Sequence, residues 1–233
     1  MSIDFQQFEH QSGTTFNDKG LLKQAFVHRS YINENKSSSL AHNERLEFLG
    51  DAVLELVVTS FLYKKYPEKN EGELTAYRSA IVNTHSLSKA ATDLGVNEFL
   101  LLSKGEAKDT GRARAIILAD TMEAIIGAIY LDHGYDGAKK FIEKNIFGII
   151  DIEEIIRKKL WIDAKSLFQE KAQEVVGLTP AYKTLKETGP DHSKEFSVGV
   201  FLGENKVAVG QGLSKQEAEQ EAARKGLEAK NWF

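Results

Sequence analysis

The segment NERLEFLGD, residues 43–51, places Glu44, Glu47 and Asp51 at offsets i, i+3 and i+7. On a helix these three carboxylates share one face, where like charges repel and weaken the helix. Basic partners elsewhere in the fold, or a bound cation, must compensate. A second group follows in LADTMEAIIGAIYLD, where Asp120 and Glu123 stand at i, i+3 in an otherwise apolar stretch. An unpaired charge buried there would cost several kcal/mol. Either group alone fits an ordinary polar stripe or salt-bridge set better than it fits a metal site. Two groups in one helical region strengthen the metal reading. Hard oxygen donors with no histidine in either group select Mg²⁺, with Mn²⁺ as a substitute, over zinc. Such ions assist hydrolysis of phosphate esters.

The elements that carry these acids read as helices. GLLKQAFVHRSY has apolar residues at helical spacing, RLEFLGDAVLELVVTSFLYKKYP is a long apolar stripe closed by Pro67, and ELTAYRSAIVNTHSLSKAATDLGV predicts one or two more. ILADTMEAIIGAIYLDHG and YDGAKKFIEKNIF follow. Their apolar faces need one another, which predicts an all-α domain over residues 1–155. Residues 151–162 form either a short last helix or a linker. Beyond them the period changes. DAKSLFQEKAQEVV is an amphipathic helix, AYKTLKETG, KEFSVGVFLG and NKVAVGQG are strands, and SKQEAEQEAARKGLEAK is a helix. Phe196, Val198 and Val200 fall on one strand face, GEN is a hairpin turn, and Ser214 with Glu217 predicts a capping box. The expectation is a small α-β-β-β-α (α+β) domain over residues 161–231.

Composition excludes several alternatives. The formal net charge of -4 removes any global basic field, although a local basic face remains open. The absence of cysteine rules out disulfides, thiolate nucleophiles and cysteine-based zinc sites. The start lacks the pattern of a secretory signal, and no apolar run is long enough to span a bilayer, so a soluble cytoplasmic protein without a membrane partner is expected. His28, His42, His85 and His133 are scattered and read as packing or surface residues. Lys104, Lys108, Arg112 and Arg114 form a basic stretch ahead of the second acidic helix, either a solvated loop or a clamp on a nucleic-acid backbone.

These motifs resemble the bacterial ribonuclease III family over nearly the whole chain. NERLEFLGD is similar to its signature and LADTMEAIIGAIYLD to its second carboxylate segment, while HRSY, EGELTAYRSAIVN and LLLSKGE fall in the family's order. The resemblance implies that Glu47, Asp51, Asp120 and Glu123 bind Mg²⁺, that Asp51 and Glu123 are catalytic, and that Glu44 lies at the site's edge. It also implies hydrolysis of double-stranded RNA to 5'-phosphate and 3'-hydroxyl ends, with processing of ribosomal precursors. The chain holds one set of acids while a duplex has two antiparallel backbones, so a C2 homodimer is expected. Phe48 matches the residue that packs across the family's dimer interface, its alternative being an internal core position. Ile116 stands in or beside the place of a usual serine.

The small domain resembles the double-stranded RNA-binding domain that follows the nuclease in this family. By that resemblance Gln169 and Glu170, and the loop Pro190-Asp191-His192, would reach successive minor grooves, while Ser214 and Lys215 would meet phosphates. Recognition by shape, 2'-hydroxyls and phosphate spacing suits an A-form duplex, whose major-groove edges are hidden. Gln216 replaces the second of two lysines common at that place. The rival class is a non-catalytic double-stranded RNA-binding protein. Such a protein has no need of the acids.

Overall fold

Helical periodicity governs the first 161 residues, and strand alternation enters only after them. The computed structural model describes residues 3–108, 110–189 and 194–233. It divides into two units, Met1–Trp161 and Ile162–Phe233. The first contains α1 (Phe5–Ser12), α2 (Lys19–Ala25), α3 (Arg29–Glu34), α4 (Glu44–Lys65), α5 (Glu71–Ile81), α6 (Thr84–Asp93), α7 (Arg112–Ile142) and α8 (Ile152–Arg157). Side chains of Asp4, Asp18, Asn70, Asn83 and Asp151 accept from backbone N–H groups at helix starts, which is why the helices begin where they do.

GLLKQAFVHRSY is not one helix. It breaks after Ala25, because Val27 forms a parallel bridge with Leu101 and His28 caps α3. Phe26 and Val27 are fully buried, so burial of the link outweighs continuation of the helix. The stretch around Asn83 divides into α5 and α6, where the Asn83 side chain accepts from Ser86 N. The two segments flanking Gly134 are likewise two helical arms, grouped as α7, and the break between them falls where Gly134 takes the non-helical φ 69° and ψ -169°. Residues 152–157 are a helix, and Trp161 beyond it meets Tyr77 edge-on at 5.0 Å.

Helices α4 and α7 pack against each other at the centre of this unit. Val53, Leu54, Val57, Val58 and Leu62 of α4 and Met122, Ile125, Ile126 and Ile129 of α7 lie in one continuous core. Among the described residues, no helix is long and apolar enough to cross a membrane.

The second unit is α9 (Ala164–Val176), β1 (Ala181–Thr188), β2 (Glu195–Leu202), β3 (Asn205–Gly212) and α10 (Lys215–Lys230). The strands form an antiparallel sheet in the order β1-β2-β3. Val200 and Leu202 pack on Phe168 and Ala172 of α9 and on Ala222, Ala223 and Leu227 of α10. Phe196, expected on the same face, is only half-buried at the sheet's end. The expected capping box is half-formed. Ser214 Oγ accepts from Glu217 N, but Glu217 Oε2 accepts from Leu213 N rather than from Ser214. The all-α unit followed by an α-β-β-β-α unit is the fold class that the periodicity predicts.

Candidate metal centre and RNA-binding surface

The first residue of NERLEFLGD fixes where α4 begins. Asn43 is buried, and its side chain donates to Ala25 O at 3.1 Å while its N–H donates to Val27 O at 2.9 Å. The start of the acidic helix is thereby tied to the extended link between α2 and α3. Asn43 was not among the predicted functional residues. Asparagine ahead of an acid-rich helix reads as a cap, yet no side-chain capping bond forms here.

The approach of α4 to α7 depends on two glycines in helix interiors. A Cβ on Gly50 would lie 1.8 Å from Glu123 O, and one on Gly127 would lie 2.1 Å from Leu46 O. Any larger residue would force the backbones apart. Glycine inside a helix is a local cost, so a pair of them in apolar stripes marks a close crossing. The sequence carries that signal in Gly50 and Gly127. Gly50 is one turn beyond Glu47, and Gly127 one turn beyond Glu123, so the crossing sets the two acids side by side.

Carboxylate oxygens of Glu47, Asp120 and Glu123 lie within 4.8 Å of one another, and all three residues are partly buried. Among the described residues, no cation pairs with any of them. Burial raises the Glu123 carboxyl to about 8, with the charges of Asp51, Asp120 and Glu47 adding to it. Burial also raises Glu47, helped by Asp120, Glu44 and Asp51, and burial raises Asp120. Three oxygen donors converge without a compensating charge. That donor set fits a small divalent cation of the Mg²⁺ class.

The other acids divide. Asp51, exposed, lies outside this group of three but is near enough for its charge to act on Glu47 and Glu123. Glu44 has the basic partners that the sequence left open: Arg29 Nη1 at 3.3 Å and His42 Nδ1 at 3.7 Å. Phe48 is 81% exposed, which excludes the core alternative. Of the basic stretch, Arg114 is committed within the fold, donating to Glu106 O and Asn97 Oδ1. His28 Nδ1 lies 2.8 Å from Ser30 Oγ, and burial lowers its pKa. His133 contacts Thr15 O at 2.7 Å. Neither belongs to the acidic cluster.

In the second unit, Gln169 and Glu170 are exposed on α9. Ser214 is engaged as the cap of α10, and Lys215 Nζ is paired with Glu187 Oε1 at 2.9 Å. The predicted contacts Pro190, Asp191 and His192 lie outside the described residues.

Comparison with known proteins agrees with both units. A family model described as Ribonuclease-III-like matches residues 18–150, and the double-stranded RNA binding motif matches residues 164–230. A protein named Ribonuclease 3 from Geobacillus kaustophilus is 46% identical over 224 residues, covering 96% of this chain and 90% of the relative. Its namesake from Borreliella burgdorferi is 44% identical over 231 residues, covering 98% and 88%. A nuclease domain of ribonuclease III from Campylobacter jejuni superposes with TM-score 0.58 at 39% identity, covering 63% of this chain and 99% of that one. A helical unit with an uncompensated carboxylate cluster, joined to a double-stranded RNA-binding motif, defines an endoribonuclease of duplex RNA. The chain belongs to the bacterial ribonuclease III family.

Proposed function

We propose that this enzyme depends on Mg²⁺, with Mn²⁺ as a substitute, and cuts both strands of duplex RNA. The products are 5'-phosphate and 3'-hydroxyl ends with staggered two-nucleotide 3' overhangs, and the substrates are ribosomal precursors and other structured RNA. The observation that carries the reading is the convergence of Glu47, Asp120 and Glu123 without a compensating cation among the described residues. Glu47, Asp51, Asp120 and Glu123 would hold the ion, with Asp51 and Glu123 catalytic. When bound, the ion supplies Lewis acidity for phosphodiester hydrolysis. Glu44, paired with Arg29, would stand at the edge of the centre. We assign nuclease activity to residues 1–155 and duplex binding to residues 161–231, through Gln169, Glu170, the 190–192 loop, Ser214 and Lys215.

The working form we propose is a C2 homodimer, which presents one acidic centre to each backbone of the duplex. Phe48, Leu56 and Tyr63, exposed at 81%, 54% and 73%, fall within one face of α4 and supply an apolar stripe for self-association. The Campylobacter jejuni nuclease domain is described as having a region involved in dimer formation. The test is incubation of purified protein with long duplex RNA, with and without Mg²⁺. Cleavage in both conditions, or in neither, overturns the metal assignment. Mixing wild-type with Glu123→Gln chains tests the dimer, since heterodimers should nick one strand per binding event. Sedimentation showing only monomer at active concentrations, with and without RNA, rules it out.

A further inference from the structure

The RNA-binding unit is not basic. Residues 162–233 hold ten Lys and Arg against eleven Asp and Glu. Several of its lysines have acid partners: Lys165 pairs with Glu219, Lys171 with Glu174 and Lys225 with Glu221. Lys215 is held more elaborately. Its Nζ lies 2.9 Å from Glu187 Oε1 and 5.6 Å from the centroid of the Phe196 ring. Glu187 and Phe196 are direct cross-strand partners on β1 and β2. Two strands thus build a cradle for one ammonium at the start of α10.

We propose that Glu187 is an affinity-setting residue of the RNA-binding surface, competing with RNA phosphate for the Lys215 ammonium. This rests on the reading that Lys215 meets a phosphate. Both ends of the pair are exposed, Lys215 at 57% and Glu187 at 40%, so a phosphate oxygen can displace the carboxylate at small cost. Two consequences follow from the charges. The displaced carboxylate stays close to the RNA backbone and repels it, which weakens binding and speeds release of the cut duplex. A lysine already neutralised by a carboxylate also contributes less counterion release than a free one, which flattens the salt dependence. Phe196 keeps the ammonium in place while its anionic partner changes.

The experiment is a binding titration of full-length protein on duplex RNA in metal-free buffer over a range of salt. It compares wild type, Glu187→Gln, Lys215→Ala and the double variant, with RNA integrity checked on a gel. Glu187→Gln should bind about two- to five-fold tighter, with a steeper salt slope by a fraction of one unit. The gain should shrink clearly in the Lys215→Ala background, leaving only the direct repulsion of the backbone by the acid. Unchanged or weaker binding by Glu187→Gln, beside a clear loss for Lys215→Ala, overturns the proposal and leaves the phosphate reading standing. A gain that persists in full without Lys215 also overturns it, because the acid would then repel RNA without acting through the lysine. If Lys215→Ala alone changes neither affinity nor slope, the phosphate reading itself fails, and the proposal with it.

Discussion

The two units handle charge in opposite ways. In the first, Glu47, Asp120 and Glu123 are gathered into a partly buried cluster with no cation among the described residues. In the second, lysines stand beside acids, exposed at Lys215 and Lys225 and partly buried at Lys165 and Lys171. Burial makes the first arrangement costly and therefore selective, since a compact divalent cation relieves it strongly. Exposure makes the second cheap and exchangeable, since surface pairs contribute little. Under the proposed function, a centre that would hold an ion and a surface that would grip and release a long polyanion call for these opposite solutions.

The sharpest way to break the comparison is Glu123→Gln. Losing an outer partner of a metal ligand typically costs ten- to a hundredfold, so losing the ligand itself should lower cleavage by more than about a hundredfold. Duplex binding should be nearly unchanged. Normal turnover at physiological Mg²⁺ would remove Glu123 from the centre.

A structural substitution comes next. Gly127→Ala places a methyl where Leu46 O already stands, so α4 and α7 must separate. Overpacking of this kind costs roughly 1–3 kcal/mol. Thermal unfolding should shift downward and cleavage should fall, while binding of duplex RNA by the second unit persists. Unaltered stability and cleavage would mean that the crossing is not what sets the acids.

The third outcome concerns pH. The Glu123 carboxyl is held at about 8 in the folded, metal-free protein, above its unfolded value of 4.5. Its contribution to stability is therefore full below pH 4.5 and is lost as pH rises through about 8. Metal-free wild type should lose stability relative to Glu123→Gln across that window. Added Mg²⁺ should restore it and release protons, measurable by calorimetry in buffers of different ionisation enthalpy. A wild-type difference that is flat with pH would contradict the burial of this acid.

The smallest effect is expected at Lys215. Lys215→Ala should weaken duplex RNA binding by a similar factor for every sequence and reduce the salt slope by somewhat under one unit. An unchanged slope would make the lysine a solvated partner of Glu187 and nothing more.

Much of this was legible along the chain because it is periodic. Offsets of three residues put Glu44 with Glu47 and Asp120 with Glu123 on helical faces, and strand alternation put Val198 and Val200 on one face. Where local pattern met a long-range partner, the pattern lost. The helix across Phe26 and Val27 gave way to a bridge with Leu101. The Glu217 side chain chose Leu213 N over the capping position. Asn43, which looks like a cap, spends its side chain on Ala25 O.

The sequence by itself determined which acids share a face within each helix, since helical period alone decides that. It also determined the change from helical to strand periodicity, and that α4 carries an apolar residue, Phe48, between two acids. Only the tertiary structure decided which acids meet across helices. Glu47 joins Asp120 and Glu123, Asp51 stays outside the trio, and Glu44 turns to Arg29 and His42. The rotation and register of α4 against α7 are set where Gly50 and Gly127 let two backbones touch. A one-dimensional period carries no information about that crossing, because it fixes positions around one helix axis and says nothing about the distance to another.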